Sequence, residues 1–243
     1  MMRFIVLLCI SSGLFAWNAK VHQLIGELAL ARVKPQTRYH ILQVFKQAHT
    51  HVDAVSVWMD EVGSDKKSHY INLPFGQTYY LPKHLASQNA LVAIENATRI
   101  MGDLKSSDEQ KIMAMRVLFH VIADIHQPLH TTNFYSKRYP EGDRGGNLYL
   151  LPRHSGYRNL HQLWDAAGGL DISKQHFTCH DDLKSPIQWV QDSFLIAVHE
   201  VYFPPHSRKK MKTYQMKVKY LSQQQIQKAA CHLAAYLDEI YVM

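Results

Sequence analysis

The chain has 243 residues, enough to bury a sizeable core as one large domain, and its apolar content of 47% is ordinary for a globular protein. After the first sixteen residues, no apolar run approaches the length of a membrane span, which excludes a spanning segment in that part. The net charge of +7, with an isoelectric point near 9.2, favours anionic partners. Sixteen histidines are unusual at this length and suggest metal ligation.

Residues 1–16 have the features of a secretory signal peptide. Arg3 precedes the apolar run 4–10, and small residues lead up to Ala16. Cleavage before Trp17 would place the mature chain outside the cell or in the periplasm. Two cysteines would then remain, Cys179 and Cys231, which is compatible with one disulfide or with two buried thiols.

Helical periodicity dominates the rest of the chain. It predicts helices over 19–32, 37–48, 52–62, 87–104, 107–127, 159–165, 186–202 and 221–241. Ser107 followed by Gln110 resembles a capping box at the start of the fifth of these helices. The Gly- and Pro-rich stretch 131–158 predicts a loop with a short β-hairpin around 147–151. No repeat or linker interrupts the pattern, so we expect one all-α, mainly helical domain over residues 17–243.

The fifth predicted helix contains a pair of metal-ligand residues. His120 and Asp124 lie four residues apart, so their side chains leave the same face one turn apart. Apolar neighbours indicate that this helix is buried, and buried ionisable groups need partners. Pro128 ends or kinks the helix, and His130 can then turn back toward the same cavity. A divalent metal is one such partner; core hydrogen bonds to the histidines are the alternative for one pair alone.

His161 and Asp165 repeat the same four-residue spacing. One coincidental pair is common in a histidine-rich chain, but two pairs joined by a Gly-rich loop are less so. The two pairs together therefore favour a metal centre over histidines that only bond within the core.

Several further motifs occur in a fixed order. They are Trp17 with His22, Trp58-Met-Asp60-Glu, His69-Tyr-Ile-Asn72, His120-Val-Ile-Ala-Asp124, Gln127-Pro-Leu-His130, Gly142-Asp-Arg-Gly-Gly-Asn147, and Asn159-Leu-His161 to Asp165. This set resembles the S1/P1 nucleases, zinc-dependent secreted enzymes related to the bacterial zinc phospholipases C. The resemblance runs from Trp17 to about Asp165 and implies the mainly helical fold of that family.

The resemblance implies three zinc ions. The first ion would be bound by Asp60, His69, His120 and Asp124. The second would be bound by the α-amino nitrogen and the carbonyl oxygen of Trp17, together with the side chains of His22 and Asp124. The third would be bound by His130, His161 and Asp165. Three Zn²⁺ against three aspartates leave roughly +3, which suits a phosphodiester. Asp60 and Asp124 would be catalytic, orienting water for in-line attack on phosphorus. The implied products have a 5′-phosphate and a 3′-hydroxyl.

Three residues are candidates for binding substrate, and two of them, Tyr70 and Asn72, match positions where relatives do so. Tyr70 would stack on a base and Asn72 would hydrogen-bond its edge, although packing in the core is an equal alternative for Tyr70. Asn147 would orient a phosphate or a ligand, or serve only as a turn residue. Gly63 stands where relatives often have an arginine near the scissile phosphate, which leaves phosphate contact at that point open.

The stretch 207–220 contains six Lys or Arg residues around Tyr214. Such a stretch could follow a nucleic-acid backbone, but a solvated basic loop is the commoner outcome.

The implied function is therefore a zinc-dependent endonuclease for single-stranded DNA or RNA, and the resemblance also allows 3′-nucleotidase activity. One alternative is a zinc phospholipase C, but that branch typically ends its last ligand pair with Glu, where this chain has Asp165. Another is a non-catalytic secreted zinc-binding protein, which the complete ligand set disfavours. No stable protein partner is inferred.

Overall fold

The computed structural model describes residues 17–62, 65–80, 82–84, 86–171, 179 and 185–241. The predicted signal peptide and Gly63 lie outside the described residues. The helices are α1 Ala19–Arg32, α2 Pro35–Gln47, α3 Val52–Glu61, α4 Ala90–Gly102, α5 Asp108–Asp124, α6 Leu160–Asp165, α7 Pro186–Ile196 and α8 Arg208–Ile240. A small sheet pairs β1 Leu73–Gly76 with β2 Thr132–Tyr135. The prediction of a mainly helical chain is confirmed.

Local sequence explains where the central helix α5 begins and ends. The predicted capping box is present: the Ser107 hydroxyl accepts a hydrogen bond from the Gln110 amide, and the Gln110 side chain accepts one from the Ser107 amide. The helix stops at Asp124, earlier than predicted, and Pro128–His130 forms a separate 3₁₀ turn. Gln127 caps that turn by accepting a hydrogen bond from the Leu129 amide.

Helix α8 begins at Arg208, well before the predicted start at 221, so the prediction of a loop over 207–220 was wrong. Met211, Tyr214 and Val218 are buried at spacings of three and four residues, which is a helical pattern. Many lysines surround these residues in sequence and masked the period. In the described part of the chain, no helix is long and apolar enough to cross a membrane, although α8 has 33 residues.

The strands differ from the predicted hairpin. β1 and β2 are parallel, with Leu73 opposite Thr132 and Gly76 opposite Tyr135, and parallel strands need a long crossover, which α4 and α5 provide. Around 147–151 the described antiparallel pairing is a single bridge between Leu150 and Asn159. Beyond this bridge the Arg158 amide donates to the Gln162 side chain at 3.1 Å instead of pairing with the opposite strand, so a hairpin does not extend there. The pairing of β1 with β2 continues beyond the N-terminal ends of both strands, because the Ile71 amide donates to the His130 carbonyl at 2.9 Å.

Two apolar clusters form the core. The larger one contains residues of α1 to α5 and the second half of α8, including Ile25, Phe119 and Leu233. The smaller one contains residues of α6, the segment after α7 and the first half of α8, including Trp164 and Val218. Helix α8 thus joins both clusters, and each cluster surrounds one of the two His-x-x-x-Asp helices.

Cys179 and Cys231 form a disulfide with their Cα atoms 5.6 Å apart, which decides between the two alternatives that the sequence allowed. Cys231 lies in α8, so the bond ties that helix to the segment between α6 and α7. A disulfide of this kind typically contributes about 2–4 kcal/mol to stability.

Candidate metal centre

Helix α5 positions His120 and Asp124 inside the protein, where both are completely buried. The His120 Nδ1–H donates to the Ser56 carbonyl at 2.8 Å, because a carbonyl can only accept. This bond turns Nε2 inward, 3.4 Å from Asp124 Oδ2 and 3.5 Å from Asp60 Oδ1. The helix period therefore places both groups as the sequence predicted, and the hydrogen bond fixes which nitrogen faces the site.

Asp60 and His69 complete a group around the inner nitrogen of His120. Asp60 lies at the end of α3, and His69 ends the 3₁₀ turn Lys66–His69. His69 Nδ1 lies 3.1 Å from His120 Nε2 and 3.1 Å from Asp124 Oδ2. One ligand atom from each of Asp60, His69 and His120 falls within 4.8 Å of the others, so these residues could hold a metal ion.

His22 of α1 forms a second group on the other side of Asp124. Its ring stacks on His120 with centroids 4.0 Å apart, and its Nε2 lies 3.3 Å from Asp124 Oδ1. The two oxygens of Asp124 therefore face different imidazoles, Oδ2 toward His69 and His120 and Oδ1 toward His22. A carboxylate in this position can bridge two cations.

Trp17, the first described residue, is completely buried beside these groups. Its indole N–H donates to the Ala123 carbonyl at 3.0 Å, next to Asp124. The amide of Asn18 donates to the Asp165 carbonyl, also at 3.0 Å. The chain at Trp17 is thus held between the ends of α5 and α6, close to both predicted pairs.

The third group consists of His130, His161 and Asp165, with ligand atoms within 4.8 Å of one another. The Nδ1–H of His130 donates to the His69 carbonyl at 2.8 Å, and that of His161 donates to the Gly145 carbonyl at 2.6 Å. Asp165 Oδ1 accepts from the Gln127 side chain at 2.8 Å, and Oδ2 lies 3.4 Å from His161 Nε2. In both histidines Nδ1 is bonded to a backbone carbonyl, so Nε2 would be the nitrogen that binds a metal.

The Gly-rich loop orients His161. The sequence did not predict a role for two residues that support this loop, Asp143 and Tyr202. Gly145 has φ +59°, and a Cβ there would collide with the Leu129 carbonyl oxygen, so the position requires glycine. Asp143 is buried and accepts hydrogen bonds from the Phe134 amide at 3.0 Å and the Tyr202 hydroxyl at 2.9 Å. Tyr202 lies outside every motif, so no sequence signal could have indicated it.

The three groups fit bound cations. Among the described residues, the buried atoms without a hydrogen-bond partner include both ring nitrogens of His22, Asp124 Oδ1 and His130 Nε2. Orphaned buried acceptors are costly unless something outside the protein chain satisfies them. The donor set is imidazole and carboxylate without thiolate, which suits zinc and similar divalent ions.

Burial also sets the protonation of these groups. Burial, reinforced by neighbouring histidines, holds the pKa of His22 and of His130 well below the usual range, so both rings are neutral and can bind a metal. Burial raises the pKa of Asp124 and of Asp165 well above the usual carboxyl range, an effect only partly opposed by His120 and Gln127 respectively. A cation would remove this penalty on the charged carboxylates.

The predicted substrate residues are less completely placed. Tyr70 and Asn72 are half-buried and follow His69 directly, so they lie at the edge of the first group. The Asn147 side chain donates to the Arg144 carbonyl at 2.9 Å, as a turn residue would. Their contact with substrate stays a prediction.

The fold and the three His/Asp groups define a helical protein that could hold metal ions. The chain matches the S1/P1 nuclease family over residues 17–183, more than half of its length, and it belongs to that family. It is 26% identical to Endonuclease 2 of Arabidopsis thaliana over 176 residues, which cover 66% of this chain and 58% of that protein. It is 33% identical to Nuclease S1 of Aspergillus oryzae over 90 residues, 35% of this chain and 28% of that protein. With Endonuclease 1 of A. thaliana it shares 27% identity over 237 residues, 82% and 73% of the two chains.

Proposed function

We propose that this chain is a zinc-dependent endonuclease that hydrolyses phosphodiester bonds of single-stranded DNA or RNA and leaves 5′-phosphate products. The family is that of the S1/P1 nucleases, and relatives named endonucleases support the reaction class. We further propose that the chain removes phosphate from 3′-nucleotides at the same site. Residues 17–243 act as one catalytic unit in this proposal, since α8 packs on both apolar clusters.

The observation that supports the proposal best is the presence of three neighbouring His/Asp groups, two of which meet at the buried Asp124. Asp60, His69, His120 and Asp124 would hold one ion, and Trp17, His22 and Asp124 a second. His130, His161 and Asp165 would hold the third. Each group includes ring nitrogens directed inward by a backbone hydrogen bond or left without a partner among the described residues.

The residues divide the chemistry between the two ends of the scissile bond. When bound, the ions would lower the pKa of a water molecule toward neutrality and would place positive charge beside the departing 3′-oxygen. Asp60 and Asp124 would orient the attacking water and accept its proton, because their oxygens face the same space. His161 and Asp165 would lie on the leaving-group side. Tyr70, Asn72 and Asn147 would bind the base and phosphate at the rim.

Trp17 makes secretion part of the proposal. A free α-amine can ligate zinc, whereas the nitrogen of a peptide bond cannot at neutral pH, because its lone pair is delocalised. Cleavage of a signal peptide before Trp17 would therefore complete the second group. The buried indole already holds that position against α5.

The test is to incubate the purified processed protein with single-stranded DNA, RNA, a 3′-nucleotide and phosphatidylcholine, with and without a chelator. We expect cleavage of DNA and RNA to products with a 5′-phosphate, loss of activity on chelation, and recovery with zinc. Asp124→Asn protein is the matched control for a contaminating nuclease.

Two results would contradict the proposal. Turnover of phosphatidylcholine with none of the nucleic acids would indicate a phospholipase C. Stoichiometric zinc without turnover of any substrate would indicate a protein that binds metal but has lost catalysis.

A further inference from the structure

The positive charge of the chain is concentrated in one region. Between Glu200 and Asp238 there are seven Lys or Arg residues and no Asp or Glu. The whole chain has 27 Lys and Arg against 20 Asp and Glu, so removing these seven leaves 20 of each sign. The net charge of +7 is therefore located in this stretch, and the rest of the sequence is balanced. Six of the seven residues lie at 208–220, which we name the basic segment.

The basic segment is helical and has one face against the protein. Met211, Tyr214 and Val218 form the buried face. An exposed row runs along the helix at every fourth residue: Arg208, Lys212, Met216 and Tyr220. Met216 and Tyr220 are 70% and 60% exposed, so the row presents cations followed by a polarizable and an aromatic side chain.

Most of the charge in the basic segment is available to a partner. Lys217 binds Glu200 at 2.9 Å. Within the described part of the chain, the other five cations have no carboxylate partner, and the sequence offers none between Glu200 and Asp238. A row of solvated cations that the protein does not neutralise favours an anionic ligand.

The basic segment is attached directly to the helix that contains His161 and Asp165. The indole N–H of Trp164 donates to the Tyr214 hydroxyl at 3.3 Å. The Gln215 side chain donates to the Ser155 carbonyl at 2.6 Å, in the turn just before α6. At the other end of α6, a Cβ on Gly168 would lie only 3.1 Å from the Gln215 carbonyl oxygen, so the two backbones are in close contact.

We propose that the basic segment binds the backbone of a polynucleotide beyond the scissile phosphate, an inference that rests on the proposed nuclease function. From Arg208 to Tyr220 the helix extends about 18 Å, comparable with about five phosphates of a stacked strand at 3.4 Å spacing. Lysine and arginine bind such a backbone by releasing its counterions, which needs no base sequence. Tyr220 supplies an aromatic face on which a base can stack.

An anionic membrane surface is a poorer partner for this segment. A helix that lies on a membrane needs a broad apolar face exposed to the lipid. Here the apolar face is buried against α6 and its neighbouring turns. The exposed apolar side chains within the segment are Met216 and Tyr220, which are too few for that role.

The test compares two triple variants of the processed, zinc-loaded protein. The first is Arg208→Gln with Lys212→Gln and Lys219→Gln, since Gln keeps a good helix propensity. The control removes the same charge elsewhere, with Arg38→Gln, Lys46→Gln and Lys105→Gln, all exposed. Each protein is assayed for kcat and KM on a single-stranded oligonucleotide of about 20 residues and on a dinucleotide, at 50 and 200 mM salt.

For the oligonucleotide, the loss of three phosphate contacts should lower the slope of log KM against log salt concentration by about 2. On raising the salt fourfold, the wild-type KM should therefore increase about 15–20 times more than that of the first variant. We expect unchanged kcat, unchanged kinetics on the dinucleotide, and a control variant that behaves as wild type.

The inference is overturned if the first variant keeps the wild-type salt dependence, or if the control loses as much. It is also overturned if the variant loses only binding to vesicles of anionic phospholipid, which would indicate a membrane contact. Failure of the wild type to cleave either substrate would instead refute the proposed function, and the inference with it.

Discussion

Helices α5 and α6 present the same His-x-x-x-Asp spacing, but different interactions hold them in place. Helix α5 has 17 residues, a capping box and a largely buried second half. Helix α6 has six residues and depends on its surroundings: the Asn159 side chain caps it, and the Gly145 carbonyl holds His161. The metal groups of α5 are therefore positioned by apolar packing, and the group of α6 by a loop.

This difference separates the two ends of the proposed reaction. Packing in a dense core fixes Asp60 and Asp124, which would orient the attacking water. A loop carbonyl fixes His161 and the Gln127 side chain fixes Asp165, and both residues would face the leaving group. Mutations around α6 should therefore change the group of His130, His161 and Asp165 without disturbing the groups at α5.

The largest effect is expected from substituting the aspartates of the two helices, Asp124 in α5 and Asp165 in α6. Asp124→Asn should lower activity about 1,000-fold, since several kcal/mol of transition-state stabilisation depend on its charge. It should also release more than one zinc ion, because its two oxygens face different histidines. Asp165→Asn, the matched variant on α6, should release one. Elemental analysis with nuclease assays measures both, and equal single-ion losses would contradict the bridging role of Asp124.

A substitution in the loop should affect only the α6 group. Gly145→Ala forces a side chain into the left-handed region and onto the Leu129 carbonyl, which should cost about 1–3 kcal/mol of unfolding free energy and loosen His161. Urea unfolding and zinc content measure the two effects. Gly102→Ala is the control, since no atom lies near the added Cβ. Loss of two or more ions in Gly145→Ala would show that the groups are not independent.

The smallest of these effects is expected from Tyr202→Phe. It leaves buried Asp143 without its 2.9 Å hydroxyl donor and should lower stability by about 1–2 kcal/mol. The loop should relax, so the zinc of the α6 group should exchange faster, with the α5 groups unchanged. Exchange into a chromogenic chelator provides the measurement, with Tyr39→Phe, 60% exposed, as control. Identical release kinetics in the two variants would exclude a role for Tyr202 in holding the loop.

The same contrast explains what could be predicted from the sequence. The spacing of His120 and Asp124 is a property of the helix period, so their shared face could be predicted without any structure. The parallel pairing of β1 and β2, which brings His69 beside His130, joins segments far apart in sequence and was missed. The basic start of α8 was mistaken for a loop, because lysines on its exposed face concealed the buried positions.

Positive-φ loop geometry is the other limit. Nothing in the local pattern of the Gly-rich loop showed that the Gly145 carbonyl would orient His161, or that Tyr202, far along the chain, would anchor Asp143. The family resemblance supplied the candidate ligand residues, and the structure supplied the hydrogen bonds that direct them.

The most direct test of the central claim is an anomalous difference map at the zinc edge, from crystals of the protein that begins at Trp17. We predict three peaks: two on either side of Asp124, with the one beside His22 next to the Trp17 nitrogen, and a third among His130, His161 and Asp165. A map without a peak between His130 and Asp165, or with a single peak at Asp124, would contradict the three-ion assignment.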